Sequence, residues 1–172
     1  VKQDEWDDGV PLVYYEGTVF LNTGIELIAV DVNDQSQRWG VSGYFNGTPV
    51  VGGGVLYQAT TSRSIRFLDA NDGSDVGSLV LPSYSAEELL LTEDTLIASG
   101  GSRNTWVFDL NLNELIQTIP SGGEMAFSNG ALVISKGSLG VVEFYVLRSA
   151  DNRPPRGTSK KYVMFEDQFS VI

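Results

Sequence analysis

Two residue types are missing from this 172-residue chain altogether, cysteine and histidine. Without cysteine there are no disulfides, no thiolate metal sites and no thiol nucleophile. Without histidine the usual general base is gone, and so is the commonest nitrogen ligand for a metal. Positive charge is scarce. The chain has 11 Lys and Arg against 22 Asp and Glu, a net charge of −11. Such a surface repels polyanions and argues against nucleic acid or anionic membrane as partners. No apolar run approaches the roughly 18 residues that a membrane helix needs. Leu89-Leu90-Leu91, for example, is stopped by Thr92-Glu93-Asp94.

What is present points to a packed domain of many short strands. An apolar fraction of 42% excludes a disordered chain, and 19 glycines suit frequent tight turns. The acidic cluster Asp4, Glu5, Asp7 and Asp8 reads as a solvated terminus. Val1 is not an initiator methionine, and Ser170-Val171-Ile172 stops within a strand-like run. Both ends are therefore expected to be cuts in a longer polypeptide.

The chain repeats itself. Thr18-Val19-Phe20-Leu21, Val55-Leu56-Tyr57, Thr95-Leu96-Ile97-Ala98 and Ala131-Leu132-Val133-Ile134 each follow a glycine or acidic turn. Anchored on Val19, Val55, Thr95 and Ala131, they recur every 36 to 40 residues. A second anchor ends in Asp31, Asp69 and Asp109, with Tyr145 at the fourth position, where the aspartate is lost. No segment sustains a helical period. Even spacing, short strands and Gly/Asn/Asp turns predict an all-β fold. A period near 40 residues fits one four-stranded β-propeller blade, giving about four blades over residues 1–147. The competing architecture is a β-sandwich, which requires no fixed repeat.

Thr48-Pro49-Val50-Val51-Gly52-Gly53-Gly54-Val55-Leu56-Tyr57, followed by Ile65-Arg66-Phe67-Leu68-Asp69-Ala70-Asn71-Asp72-Gly73, resembles the quinoprotein-type (PQQ-like, WD40-like) propeller repeat. The resemblance runs from about Val10 to Leu147 and is clearest in the second repeat. It implies blades of a seven- or eight-bladed ring, with a tryptophan packed between blades. Trp39 matches that tryptophan, whereas Gly77 and Gln117 stand at the corresponding places later on. Family members that bind quinone use a complete ring and a calcium site, and commonly a disulfide of adjacent cysteines, impossible here. Residues 148–172 contain Asp151-Asn152-Arg153-Pro154-Pro155 and Tyr162-Val163-Met164-Phe165-Glu166-Asp167. This stretch resembles a Pro-containing linker and the start of a bacterial cadherin- or Ig-like repeat. The alternative is a strand that returns to the propeller.

Candidate sites each have a plainer reading. Asp69-Ala70-Asn71-Asp72-Gly73-Ser74-Asp75 spaces oxygens like a calcium loop, yet Asp, Asn and Gly are also hairpin-turn residues. Asp109-Leu110-Asn111-Leu112-Asn113-Glu114 is a looser version of it. Gly52-Gly53-Gly54 and Gly100-Gly101-Ser102-Arg103-Asn104 lack the helix that a phosphate cradle needs and read as turns. Glu87-Glu88 and Glu93-Asp94 are the acid pairs a glycosidase would use, and read as solvated loops. Trp6, Trp39, Trp106 and the tyrosines read as packing between sheets. Asn46-Gly47-Thr48 matches a glycosylation acceptor and reads as a turn. No residue is assigned a catalytic, cofactor-binding or metal-binding role, and no cofactor is expected.

The function expected is that of a non-catalytic binding or scaffold module in a larger secreted or cell-surface bacterial protein. Its loops would meet a protein or glycan. Remaining blades of the same protein, or a second copy of the chain, would complete the ring. The alternatives are a fragment of a quinone-dependent dehydrogenase, or an envelope-assembly scaffold like the propeller lipoprotein that supports outer-membrane protein insertion.

Overall fold

The computed structural model describes residues 10–101, 103–128, 131–136, 141–146 and 162–165. Among them are sixteen strands and no helix. The first sheet contains β1 (Leu12–Tyr15), β2 (Thr18–Asn22), β3 (Glu26–Asp31) and β4 (Gln37–Ser42). The second contains β5 (Phe45–Gly52), β6 (Val55–Thr60), β7 (Ser64–Asp69) and β8 (Asp75–Val80). The third contains β9 (Glu88–Leu91), β10 (Thr95–Gly100), β11 (Asn104–Asp109) and β12 (Glu114–Ile119). The fourth contains β13 (Glu124–Ser128), β14 (Ala131–Lys136), β15 (Val141–Val146) and β16 (Tyr162–Phe165). In each sheet spatial order follows chain order, and in the first two sheets every connection is a short local turn.

The turns follow from the sequence. Glu16-Gly17 and Gly53-Gly54 are two-residue hairpin loops with positive φ at both positions. That backbone matches the twist of the strands it joins.

Contacts divide the chain into two compact units, Val1–Glu93 and Asp94–Ile172, the division falling between β9 and β10. In the first unit, β1 packs on β5 and β5 on β9. The core there is face-to-face packing of two sheets. Phe20, Leu27, Ala29 and Trp39 of the first meet Phe45, Leu56, Leu68 and Ala70 of the second. In the second unit, Trp106, Phe108, Leu132, Ile134 and Tyr145 are buried. Glu143 is buried with them. It accepts a hydrogen bond from the Tyr145 hydroxyl at 2.7 Å and pairs with Lys136 at 3.4 Å.

Pairing corrects the phase of the repeat in two places. Val55 pairs with Asp69, and Thr95 with Asp109. The equivalent pairs are Thr18 with Asp31 and Ala131 with Val146. Thr18 therefore takes the place expected for Val19, and Val146 the place expected for Tyr145. A match on apolar residues cannot resolve this, because a slip of one residue transfers every side chain to the other face.

Asn46-Gly47-Thr48 is not a turn. It lies inside β5, where the register shifts between Asn46 and Val50 as a bulge. Gly47 has φ +67, and a Cβ there would come within 2.0 Å of the Glu87 carbonyl oxygen. Pro49 sits within the bulge, where a missing N–H breaks no ladder bond. The Asn46 amide donates to the Ala86 carbonyl at 2.8 Å, tying β5 to the segment that enters β9.

Trp39 packs between sheets, as the resemblance implies. Its indole N–H donates to the Ala70 carbonyl at 3.1 Å, and its ring sits 5.6 Å from that of Phe20. The same ring lies over Gly73, where a Cβ would meet it at 2.8 Å. In the first sheet Ala29 faces Trp39 across the ladder, whereas in the second Phe67 faces Gly77. The large ring has changed strands while the pair keeps one large and one small member.

Tyr162–Phe165 pairs antiparallel with β15 as the outer strand of the fourth sheet. This is the position a strand returning to the propeller would take. Asp151–Pro155, Trp6, the acidic cluster at Asp4–Asp8 and Ser170–Ile172 lie outside the described residues.

Replacing Trp39 by alanine removes a buried ring and its hydrogen bond together. The expected loss is about 3–5 kcal/mol, typical of truncating a large buried aromatic, read as a lower urea midpoint. A loss below about 1 kcal/mol shows that the ring does not join the two sheets.

Candidate functional site

Two kinds of edge surround the sheets of the first unit. One carries the turns between first and second strands and between third and fourth strands. The other carries the turns between second and third strands and the links from one sheet to the next.

The Asp31 and Asp69 turns belong to the first kind, and the Asp109 turn of the second unit shares their construction. Asp31 Oδ1 accepts the Asn33 amide N–H at 2.8 Å, Asp69 Oδ1 that of Asn71 at 2.8 Å, and Asp109 Oδ1 that of Asn111 at 2.9 Å. Four residues after each aspartate the chain takes positive φ, at Gln35, Gly73 and Asn113. Gln35 N–H closes back to the Asp31 carbonyl at 3.0 Å and Gly73 N–H to that of Asp69 at 2.9 Å. A second acid repeats the device: Asp34 accepts the Ser36 N–H and Asp72 that of Ser74. An aspartate that caps the backbone two residues on is a turn former.

These bonds engage the carboxylates of the calcium-like loop. Asp69 and Asp72 cap backbone amides, and Asp75 is held by both Arg66 Nε, at 3.0 Å, and Nη2, at 2.7 Å. Among the described residues no three His, Asp or Glu side chains converge as a metal would require. The geometry is that of the hairpin turn.

Electrostatics agree with these contacts. The Arg38 guanidinium, which bonds Asp31 Oδ2 through both Nε and Nη2, and the Asn33 amide hold the Asp31 carboxyl down to about 2. Hydrogen bonds from Ser36 lower Asp34, those from Ser74 lower Asp72, and the Arg66 hydrogen bonds lower Asp75. This edge of the first unit is acidic.

The other candidates also fall in connecting positions. Gly52 ends β5 and Gly53-Gly54 is the turn after it, while Gly101 and Arg103 lie in the turn between β10 and β11. Glu88 starts β9, and Glu93-Asp94 forms the turn before β10, where Asp94 accepts the Thr95 hydroxyl at 3.0 Å.

The second edge was not legible in sequence. Gly43 N–H donates to the Ile25 carbonyl at 3.0 Å, and Phe45 N–H to that of Gly24 at 2.9 Å. The turn Thr23–Ile25 and the link through Tyr44 thus cross each other backbone to backbone. Thr61 N–H donates to the Tyr44 carbonyl at 3.1 Å, and Leu81 N–H to that of Arg63 at 2.9 Å. The edge so assembled exposes Ile25 at 67% and Tyr44 at 73%, and Tyr84 stands out from the next link. A signal exists in the sequence: Ile25 and Tyr44 are large apolar residues beside Gly24 and Gly43, where turn chemistry would otherwise favour polar ones.

Four consecutive four-stranded antiparallel sheets, each in chain order, define a β-propeller fold. No family model matches the chain, and no curated protein matches it in sequence. Solved structures do match. BamB from Moraxella catarrhalis superposes with a TM-score of 0.65 at 13% identity, over 79% of this chain and 47% of that one. Hsv2 from Kluyveromyces lactis gives 0.62 at 20% identity, over 89% and 50%. The computationally designed protein Ika4 gives 0.71 at 11% identity, over 81% and 91%. The chain thus spans about half the length of BamB and Hsv2 and nearly all of Ika4. No helix among the described residues is long and apolar enough to cross a membrane.

Two measurements follow. Asp31 has a carboxyl pKa lowered from 3.8 to about 2, so its interactions stabilise the fold above pH 3.8, and that share is lost as pH falls through about 2. Arg38→Gln is expected to raise the Asp31 value toward 3.8 in a carboxyl NMR titration; an unchanged value removes Arg38 as the cause. Separately, the melting temperature is expected to be the same in calcium and in chelator. A rise of several degrees in calcium shows that the Asp69–Asp75 turn reorganises into a site.

Proposed function

We propose that the chain is a non-catalytic binding or scaffold module whose contact surface is the Ile25–Tyr44–Tyr84 edge. The observation that carries this reading is the exposure of Ile25 and Tyr44 on segments locked together by backbone hydrogen bonds. Loops held by a rigid scaffold are where binding residues concentrate, and tyrosine is enriched at protein interfaces. A protein partner is favoured over a glycan, because Ile25 offers apolar contact and no hydrogen bond. The opposite edge is acidic and its carboxylates are engaged in turns, which leaves it poorly suited to docking an apolar surface.

The quinoprotein-type pattern of the second blade, and the likeness to a bacterial propeller, support a secreted, periplasmic or cell-surface bacterial setting within a larger protein. The absence of histidine and cysteine supports a role without catalysis. A photo-crosslinking residue placed at position 44 is expected to capture a discrete protein partner from envelope extracts, and one at position 34 is not. The double substitution Ile25→Ser and Tyr44→Ser should abolish binding of that partner with no change in melting temperature. Equal capture at both positions removes the edge as the contact surface. Titration with quinone cofactor and calcium is expected to leave the visible spectrum of the quinone unchanged; a shifted band would restore the dehydrogenase-fragment reading.

A further inference from the structure

Ile25, Tyr44 and Tyr84 are not the whole of the docking edge in the first unit. The loop Thr61-Ser62-Arg63, between β6 and β7, belongs to the same edge. Thr61 N–H donates to the Tyr44 carbonyl, and Leu81 N–H, in the link that leads to Tyr84, donates to the Arg63 carbonyl. The loop is also held from within. The buried Thr60 hydroxyl donates to the Ser64 carbonyl at 3.1 Å and accepts the Ser62 N–H at 3.3 Å. Arg63 is thus exposed on a fixed backbone, joined on either side to the segments that carry the two tyrosines.

The cations among the described residues of this unit are Arg38, Arg63 and Arg66. Arg38 pairs with Asp31 and Arg66 with Asp75, whereas Arg63 pairs with no carboxylate among the described residues. Its backbone sets it apart too. Arg63 has φ 61, the left-handed conformation that glycine and asparagine adopt most readily in short hairpin loops. The matching turn of the first sheet takes its positive φ at Gly24. Tyr84 is left-handed as well, at φ 56. The turn alone gives no reason for arginine at this place, and such backbone strain concentrates where a side chain is put to use. Neighbouring acids leave the guanidinium clear. Glu26 lays its carboxylate along Gly40 of β4, and Glu87 and Glu88 stand where the chain enters β9.

We infer that the partner segment seated on this edge is a peptide stretch with one carboxylate beside apolar side chains. The carboxylate bonds Arg63, and the apolar groups cover Ile25 and Tyr44. The inference rests on the reading of this edge as the contact surface and names the chemistry that the edge takes. A guanidinium presents a planar fork of donors that meets a carboxylate with two parallel hydrogen bonds. Arginine and tyrosine are also the side chains that anchor protein interfaces most strongly. One cation calls for one acid. With a net charge of −11, and with Glu87 and Glu88 at its inner end, the edge repels a polyanion. A single acid in an apolar setting fits it, and a nucleic acid or a strongly anionic membrane does not.

Selection of a phage-displayed library of random linear peptides on the 172-residue chain tests this. Peptides whose binding is lost on the chain with Ile25→Ser and Tyr44→Ser are expected to share a single Asp or Glu flanked by aliphatic or aromatic residues. Arg63→Asn is expected to weaken the best of them by about tenfold or more, the worth of a hydrogen-bonded charge. Asparagine accepts the left-handed φ more readily than arginine, so the melting temperature should hold or rise. The same peptide with its acid amidated should bind the wild type as weakly as the acidic peptide binds Arg63→Asn, and should lose nothing further on that variant. Edge-dependent peptides without an acid, or with an acid indifferent to Arg63→Asn, overturn the inference and leave the edge as the contact surface. A selection that yields no edge-dependent peptide overturns both. Arg63-dependent binding to vesicles of anionic phospholipid, with no acidic peptide selected, puts a lipid phosphate in place of the carboxylate and overturns the inference as well.

Discussion

Side chains along a strand alternate between the two faces of its sheet, and in these blades the residues on both faces are apolar. Leu56 and Tyr57 are neighbours in β6, point to opposite sides, and are both buried. A sheet of this kind is stable only when something packs on each side, since exposed apolar surface costs about 25 cal/mol per Å². The rest of the first unit follows from that demand. Turns must be short so that each sheet closes on itself, innermost strands must lie side by side, and a large ring must fill the space between sheets where they diverge. Trp39 does this for the first two sheets and adds a hydrogen bond to Ala70 that fixes how far apart they stand.

How much of this the sequence disclosed depends on what each signal encodes. The repeat and its turns were legible, because glycine, asparagine and aspartate at fixed intervals report backbone conformation directly. The turns after Asp31, Asp69 and Asp109 were placed correctly for that reason. Phase within a strand was not legible at two ends of the repeat. Val19 beside Thr18, and Tyr145 beside Val146, offer apolar residues on both faces, so composition alone cannot choose between them. The bulge at Asn46–Val50 was hidden by the turn-like triplet Asn46-Gly47-Thr48, whose glycine answers to the nearby Glu87 carbonyl and not to a hairpin. The Ile25–Tyr44 edge depends on two segments about twenty residues apart meeting through backbone bonds; the apolar residues beside Gly24 and Gly43 mark each turn but not their meeting.

The acidic residues divide by environment. Those in the turns are engaged by amides and arginines, so much of the negative charge on that edge of the first unit is part of the fold. Arg38 and Arg66 each hold an aspartate at the start or end of such a turn. These two arginines thus stabilise turn geometry, and the opposite edge, at Ile25 and Tyr44, is left to apolar contact.

The exchange of Ala29–Trp39 for Phe67–Gly77 has a consequence for the history of the repeats. Between these two blades the identity of each facing residue changes, while one member of the pair stays large and the other small. Here the tryptophan of the first blade is lost where its opposite grows from Ala29 to Phe67. A description that weighs each column of a repeat separately scores both changes as losses, although together they preserve the fit. Blades that diverge in this coupled fashion slip below recognition by sequence while their backbones remain superposable, which is how a chain can align with propellers at 13 and 20% identity and match no sequence family.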